Sequence, residues 1–258
     1  MRRIAHTASK IVPVMCAIYV VSSLTIIVAH IGHVPAAFGD IFGDALSGKA
    51  IYGGAIGALV TGFQRAAFSN EAGVGSASIA HSAARTPYPV REGIVALLEP
   101  FIDTVVVCTM TALVIVITDV YLPTGPHADL VAAKEGAALT LRAFESVAFF
   151  AGWFPWVLMV AVVLFAFSTM ISWSYYGERC WTRMFGPRSS LAYKILFLVF
   201  VVLGSLVTAT KVLEFGDTMI LLMAFPNIIG LYFLQGHVAR DLRDYTAKLD
   251  SGEIRRYH

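Results

Sequence analysis

Apolar residues fill six stretches of the chain, about 11–31, 51–83, 92–118, 147–177, 191–210 and 214–236, with polar and charged residues gathered between them. A helix needs roughly 20 mostly apolar residues to cross hydrocarbon, so each stretch predicts one membrane-spanning helix. Pro13, Pro100, Pro155 and Pro226 fall in or near these stretches. Membrane helices tolerate proline because neighbouring groups re-satisfy the freed carbonyls. The stretches 51–83 and 147–177 exceed the bilayer thickness, which predicts tilt, a break or a projecting end. The pattern therefore predicts an all-α integral membrane fold. Residues 1–236 form the transmembrane domain, and the polar segment 237–258 forms a cytoplasmic tail with a short surface helix. No repeat of 20–50 residues and no low-complexity tract is present.

Composition agrees with the pattern. Of 258 residues, 57% are hydrophobic and 14% charged, with a mean hydropathy of +0.73. A soluble domain carries about 25% charged residues, so the expected environment is a lipid bilayer. A net charge of +2 is too small to suggest a nucleic-acid partner. Cys16, Cys108 and Cys180 are too widely spaced for a metal site and read as small core hydrophobes. Residues 11–31 are too long an apolar run for a signal peptide, and His30-Ile31-Gly32-His33 is no cleavage site.

Charge then sets the sidedness. With the N-terminus inside, the inner loops hold 14 Lys and Arg, among them Arg2, Arg85, Arg179, Arg183 and Arg240. The outer loops hold 4: Lys49, Lys134, Arg142 and Lys211. Positive residues stay on the cytoplasmic side, which predicts a multi-pass protein of the cell (plasma or inner) membrane with both termini of this chain cytoplasmic.

Within the second stretch, Phe68-Ser69-Asn70-Glu71-Ala72-Gly73-Val74-Gly75-Ser76 interrupts the apolar run. Irregular backbone at membrane depth survives only where protein buries it or where it lines a cavity, so this is the candidate solute site. A half-helix beginning near Gly75 would aim N–H groups into the break, and these suit a carboxylate. The carbonyls closing the preceding half suit a cation or an ammonium group, so together the two ends describe a site for a zwitterion. Gly53 with Gly57 makes a small-residue pair that lets a neighbouring helix approach. The alternative is a glycine-rich packing defect in which Arg65 and Glu71 pair for structure.

Two further polar clusters lie in apolar stretches. Glu99 and Asp103, four residues apart, share one helix face. They could carry protons, face an ion, or bond to neighbouring helices. Ser168 and Thr169 offer hard hydroxyl oxygens suited to a small cation such as Na⁺, with Ser172 and Trp173 one turn on. The same hydroxyls could simply bond back to the preceding helical turn, and chemistry alone does not choose. Enzyme signatures are missing: there is no P-loop, Gly-x-Ser-x-Gly, His-Glu-x-x-His or dinucleotide fingerprint.

Several segments resemble the sodium:alanine symporter family (alanine or glycine:cation symporters). They are Lys10-Ile11-Val12-Pro13-Val14-Met15, Arg65 to Ala77 with Ala80-His81, Phe101-Ile102-Asp103-Thr104 with Val107-Cys108-Thr109, and Trp173 to Cys180. The resemblance runs through nearly the whole chain. It implies a leucine-transporter-like fold of five-plus-five helices in inverted repeats, with a solute site between broken helices 1 and 6. The stretch 51–83 is similar to helix 6, and 147–177 to helix 8. On that footing Ser69, Asn70, Gly73, Gly75 and Trp173 become substrate-binding residues, and Ser168 and Thr169 become Na⁺ ligands. The implied activity is symport of a small neutral amino acid, alanine or glycine, with Na⁺ by alternating access. No cofactor is implied beyond the coupling ion.

The family often has Gly where Ala66 stands. The resemblance also implies further spans, including the first broken helix, upstream of a chain that resembles the C-terminal part of a symporter. The expectation is a truncated chain that does not transport alone, with the missing N-terminal half as a separate chain among its partners. The competing reading is an inactive fragment or a non-transporting membrane subunit that keeps the fold.

Overall fold

Hydrocarbon leaves a spanning backbone no partner but itself, and the chain answers with helices. The computed structural model describes residues 2–46, 54–133 and 135–254, and all regular structure among them is helical. Gly53, Lys49, Lys134, Arg255, Arg256 and the start of the 51–83 stretch lie outside the described residues.

The helices are α1 Arg2–Ala29, α2 Val34–Leu46, α3 Gly54–Ser69, α4 Ser76–His81, α5 Pro89–Ile117 and α6 Ala128–Ala132. They continue with α7 Gly136–Glu145, α8 Ala148–Ala151, α9 Phe154–Phe185, α10 Ser190–Leu206 and α11 Ala209–Asp250. Among the described residues, four are long and apolar enough to cross a membrane: Pro89–Ile117, Phe154–Phe185, Pro187–Leu206 (α10 with the 3₁₀ turn before it) and Lys211–Asp250 within α11. A fifth arises if Cys16–Ala29 and Ile31–Leu46, bent by 78°, count as one broken span. Their apolar side chains face outward, as with Leu198 at 63% and Phe233 at 83% exposure. Such a surface belongs in lipid, and the protein is a multi-pass membrane protein.

Helix ends depart from the apolar stretches for local reasons. α5 starts at Pro89 because a proline ring fits the first helical position, where no N–H is needed. The 147–177 stretch is divided at Gly152-Trp153, and α9 then runs past its apolar end to Phe185, stopping where Gly186 takes φ +84°. α11 carries straight on through the predicted boundary at 236, so most of the tail extends the last spanning helix. No residue stops it before Gly252, at φ +78°. Hydropathy marks the edge of the membrane, whereas helix ends follow caps.

The chain divides into two units. The first comprises Met1–Val60 and Val105–Val202. Its core gathers Ile26 and Ile27 of α1, Ala37 of α2, Met110, Leu113 and Val114 of α5, and Phe144, Phe150 and Phe154. Phe144 stacks on Phe154 with ring centroids 4.1 Å apart, and Tyr19 Oη pairs with Thr111 Oγ1 at 2.5 Å. The second unit comprises Thr61–Thr104 and Leu203–His258, and it contains the break between α3 and α4.

Candidate functional site

The break occupies Asn70–Gly75. Asn70 N still donates to Ala66 O (3.0 Å), closing α3, and Val74 N donates to Glu71 O (3.1 Å) in a tight turn. Glu71, Gly73 and Gly75 take φ of +57°, +80° and +112°. Glycine adopts such angles without steric cost, while Glu71 pays for them, and non-glycine residues held this way cluster at functional sites.

Asn70, 7% exposed, holds the turn together. Its Oδ1 accepts the Ala72 N–H (2.9 Å), and its Nδ2 donates to Thr104 Oγ1 (2.6 Å). An asparagine that bonds its own backbone two residues on imitates a turn, which is why this residue type suits a helix break. Ser69 Oγ donates to Asp103 Oδ2 at 2.5 Å. Asp103 and Thr104 both lie in the π-helical middle of α5, Phe101–Cys108. Each π turn admits one extra residue and re-aims side chains, and such segments recur at functional sites.

From α11, Asn227 Nδ2 donates to Gly73 O (2.8 Å). A Cβ on Gly75 would lie 3.3 Å from Asn227 Cγ, so this approach relies on glycine. Ser76 is 3% exposed, and its hydroxyl has no hydrogen-bond partner among the described residues. A buried hydroxyl without a partner costs about 1–3 kcal/mol, so it is primed for a polar ligand.

The flanking charges are tied down. Arg65 pairs with Asp217 of α11 and lies 5.7 Å from the centroid of the Phe68 ring. This pair ties α3 to α11. His81, at the end of α4, sets Nδ1 2.7 Å from Glu92 Oε1 and Nε2 3.5 Å from Glu99 Oε2. Glu99 and Asp103 thus have separate tasks, one on His81 and the other on Ser69.

Of the sequence-predicted residues, Ser69, Asn70, Gly73 and Gly75 come together in the second unit. Ser168, Thr169 and Trp173 share α9 in the first. Ser168 is half-buried, and its Oγ donates to Phe165 O at 2.8 Å. The back-bond is therefore formed; a hydroxyl that gives its proton away keeps lone pairs for a cation, so the bond fits either role. Thr169 is exposed, and Trp173 is half-buried with its ring edge-on to Tyr176 at 6.1 Å. Sequence reasoning missed Asn227 and the pairing role of Asp217. The sign of Asn227 was available: an amide beside Pro226 in an otherwise apolar run.

Comparison with known proteins gives a family match over residues 1–258, to the model described as the sodium:alanine symporter family. The sodium/alanine symporter AgcS of Methanococcus maripaludis is 37% identical over 246 residues, covering 95% of this chain and 52% of that protein. The probable sodium/glutamine symporter GlnT of Bacillus subtilis is 32% identical over 254 residues, 98% of this chain and 51% of its own length. The sodium/proton-dependent alanine carrier protein of Bacillus sp. strain PS3 is 30% identical over 263 residues, covering 98% and 59%. The chain spans about half the length of the curated relatives it matches.

Proposed function

This chain belongs to the sodium:alanine symporter family, and from that premise we propose that it serves Na⁺-coupled symport of a small neutral amino acid, alanine or glycine. The observation that carries this reading is the α3–α4 break. Three left-handed residues, a buried Asn70 and an unpartnered Ser76 hydroxyl are costly at membrane depth without a polar solute to receive. On this reading α3 and α4 are the two halves of the sixth helix of a five-plus-five inverted-repeat fold, and α9 is the eighth. Six spans then cross the plasma membrane, with both termini of the chain on the cytoplasmic side.

Ser69, Asn70, Gly73 and Gly75 shape the amino-acid site, Trp173 contributes an aromatic wall, and Ser168 and Thr169 present oxygens to Na⁺. Binding of ion and solute together favours the conformation that closes around both, so the ion gradient drives the solute. The names of the relatives differ in solute and coupling ion. Alanine and Na⁺ are therefore the first pair to test.

The deciding experiment is equilibrium binding of labelled alanine to the purified chain, with and without Na⁺. Sodium-dependent binding that disappears in Asn70→Ala supports the site, and unchanged affinity in that variant overturns it. Replacing Ser168 and Thr169 with Ala raises the Na⁺ concentration needed; an unchanged requirement assigns them to back-bonding alone. A second reading, a non-transporting membrane subunit, is favoured by the engagement of both ends of the Asn70 amide with Thr104 and Ala72. It predicts a folded chain with no sodium-dependent alanine binding.

A further inference from the structure

The end of the α9–α10 hairpin carries a polar cavity apart from the residues assigned above to solute and ion. α9 has 32 residues, about 48 Å at 1.5 Å per residue, against roughly 30 Å of hydrocarbon, so its last turns reach the headgroup region. Here Arg179 and Arg183, one turn apart on α9, and Lys194 of α10 line a cavity of about 820 Å³. That volume lies within the range of roughly 300–1,000 Å³ usual for small-ligand sites.

The one carboxylate in the lining, Glu178, is already engaged: it accepts from Ser190 Oγ and stands 3.1 Å from Lys194 Nζ. Arg179 packs over the Tyr175 ring at 4.9 Å. Among the described residues neither Arg179 nor Arg183 has a carboxylate within 4.0 Å; Glu178 attracts Arg179 only at longer range, and its close contacts go to Ser190 and Lys194. Two guanidiniums on one helix face offer paired, planar donors, the geometry that phosphate oxygens accept best.

The surroundings indicate what carries the phosphate. Trp181 packs against Phe185 (4.6 Å) and Tyr193 (5.9 Å), and Tyr193 packs against Phe197 (6.1 Å). Such aromatic bands settle at the bilayer interface. Along α10, Leu191, Ile195 and Leu198 are 57–69% exposed and give acyl chains an apolar wall. Basic pockets between membrane helices on the cytoplasmic side take anionic lipid headgroups.

We propose that this cavity binds the phosphate of an anionic phospholipid, with Arg179 and Arg183 as the clamp. The assignment does not depend on the symport reading.

Native mass spectrometry of the 258-residue chain in neutral detergent tests it, with phosphatidylglycerol, phosphatidylcholine and inorganic phosphate as probes. Phosphatidylglycerol binds, phosphatidylcholine binds at least about tenfold more weakly, and the double variant R179Q/R183Q loses about tenfold in phosphatidylglycerol affinity, as expected for lost charge-assisted hydrogen bonds. The matched tail variant R240Q/R243Q stays within about twofold, because charges outside the cavity contribute only diffuse attraction. E178Q adds net positive charge to the cavity and tightens phosphatidylglycerol binding, which keeps the test open if the double variant fails to fold. Equal binding of both lipids, an equal loss in the tail variant, no gain in E178Q, or displacement of the lipid by inorganic phosphate would each overturn the assignment.

Discussion

Gly75→Ala probes the break most directly. The substitution adds one methyl group at φ +112°, where non-glycine residues carry strain of order 1–3 kcal/mol. The new Cβ would also sit 3.3 Å from Asn227 Cγ and 3.4 Å from Asn227 Cβ. The 3.4 Å contact is ordinary van der Waals packing, but the Asn227 amide must give way by a few tenths of an ångström, which weakens its 2.8 Å bond to Gly73 O. A hydrogen bond of this kind contributes about 0.5–1.5 kcal/mol net, which brings the total cost to about 1.5–4.5 kcal/mol. Gly73→Ala is the control: φ is +80°, but nothing lies within 4 Å of the added carbon, so only strain applies. Unfolding of the purified chain in mixed detergent–SDS micelles, followed by circular dichroism, gives both values. A double-mutant cycle with Asn227→Ala isolates the contact. Gly75→Ala costs more than Gly73→Ala, and the difference shrinks when Asn227 is truncated. Equal costs, or strict additivity with Asn227→Ala, would refute the claim that α11 depends on a bare Cα at residue 75.

Three further outcomes follow from the packing. Thr104→Val strips the acceptor from the buried Asn70 Nδ2 and costs about 1–3 kcal/mol in the same unfolding assay, whereas Thr104→Ser keeps most of the stability. Gly177→Ala places a carbon 2.7 Å from Tyr193 Cζ, so it destabilises the α9–α10 contact by about 1–3 kcal/mol and changes Trp181 fluorescence. Phe144→Ala empties the centre of the stack with Phe150 and Phe154 and costs about 3–5 kcal/mol, measurable as a lowered melting temperature.

Four long apolar helices and the interruption after Ser69 were legible in the sequence because both are one-dimensional. An apolar run of 20 residues reports its own solvent, and Ser69-Asn70-Glu71 with Gly73 and Gly75 reports its own inability to continue a helix. What joins the break to its neighbours was not legible. Asn227 reaches Gly73 across 154 positions and Arg65 reaches Asp217 across 152, and no local pattern encodes such pairings. The π segment was hidden too. A spacing of four put Glu99 and Asp103 on one α-helical face, but i→i+5 turns begin at Phe101 and send Asp103 to Ser69 while Glu99 meets His81. A helix in the tail was foreseen, but its continuity with the last apolar helix was not, because hydropathy falls at 236 without any residue there that ends a helix.

The length of α11 has a mechanical consequence. Pro226 is the last proline in it, and beyond that point the helix is an unbroken rod to Asp250. The rod grips the polypeptide on either side of α4 at two places. Asn227 holds Gly73, and Tyr245 Oη accepts from Arg91 Nε at 3.1 Å while its ring packs against Tyr88 at 5.6 Å. Eighteen residues separate the two grips, about 27 Å along the axis. α4 is thus spliced across a strut of fixed length, as a short link is braced by a rigid bar bolted at both ends. Any motion that widens the break must unfasten one bolt or swing the whole bar, and a spectroscopic label beyond Tyr245 would register which of the two occurs.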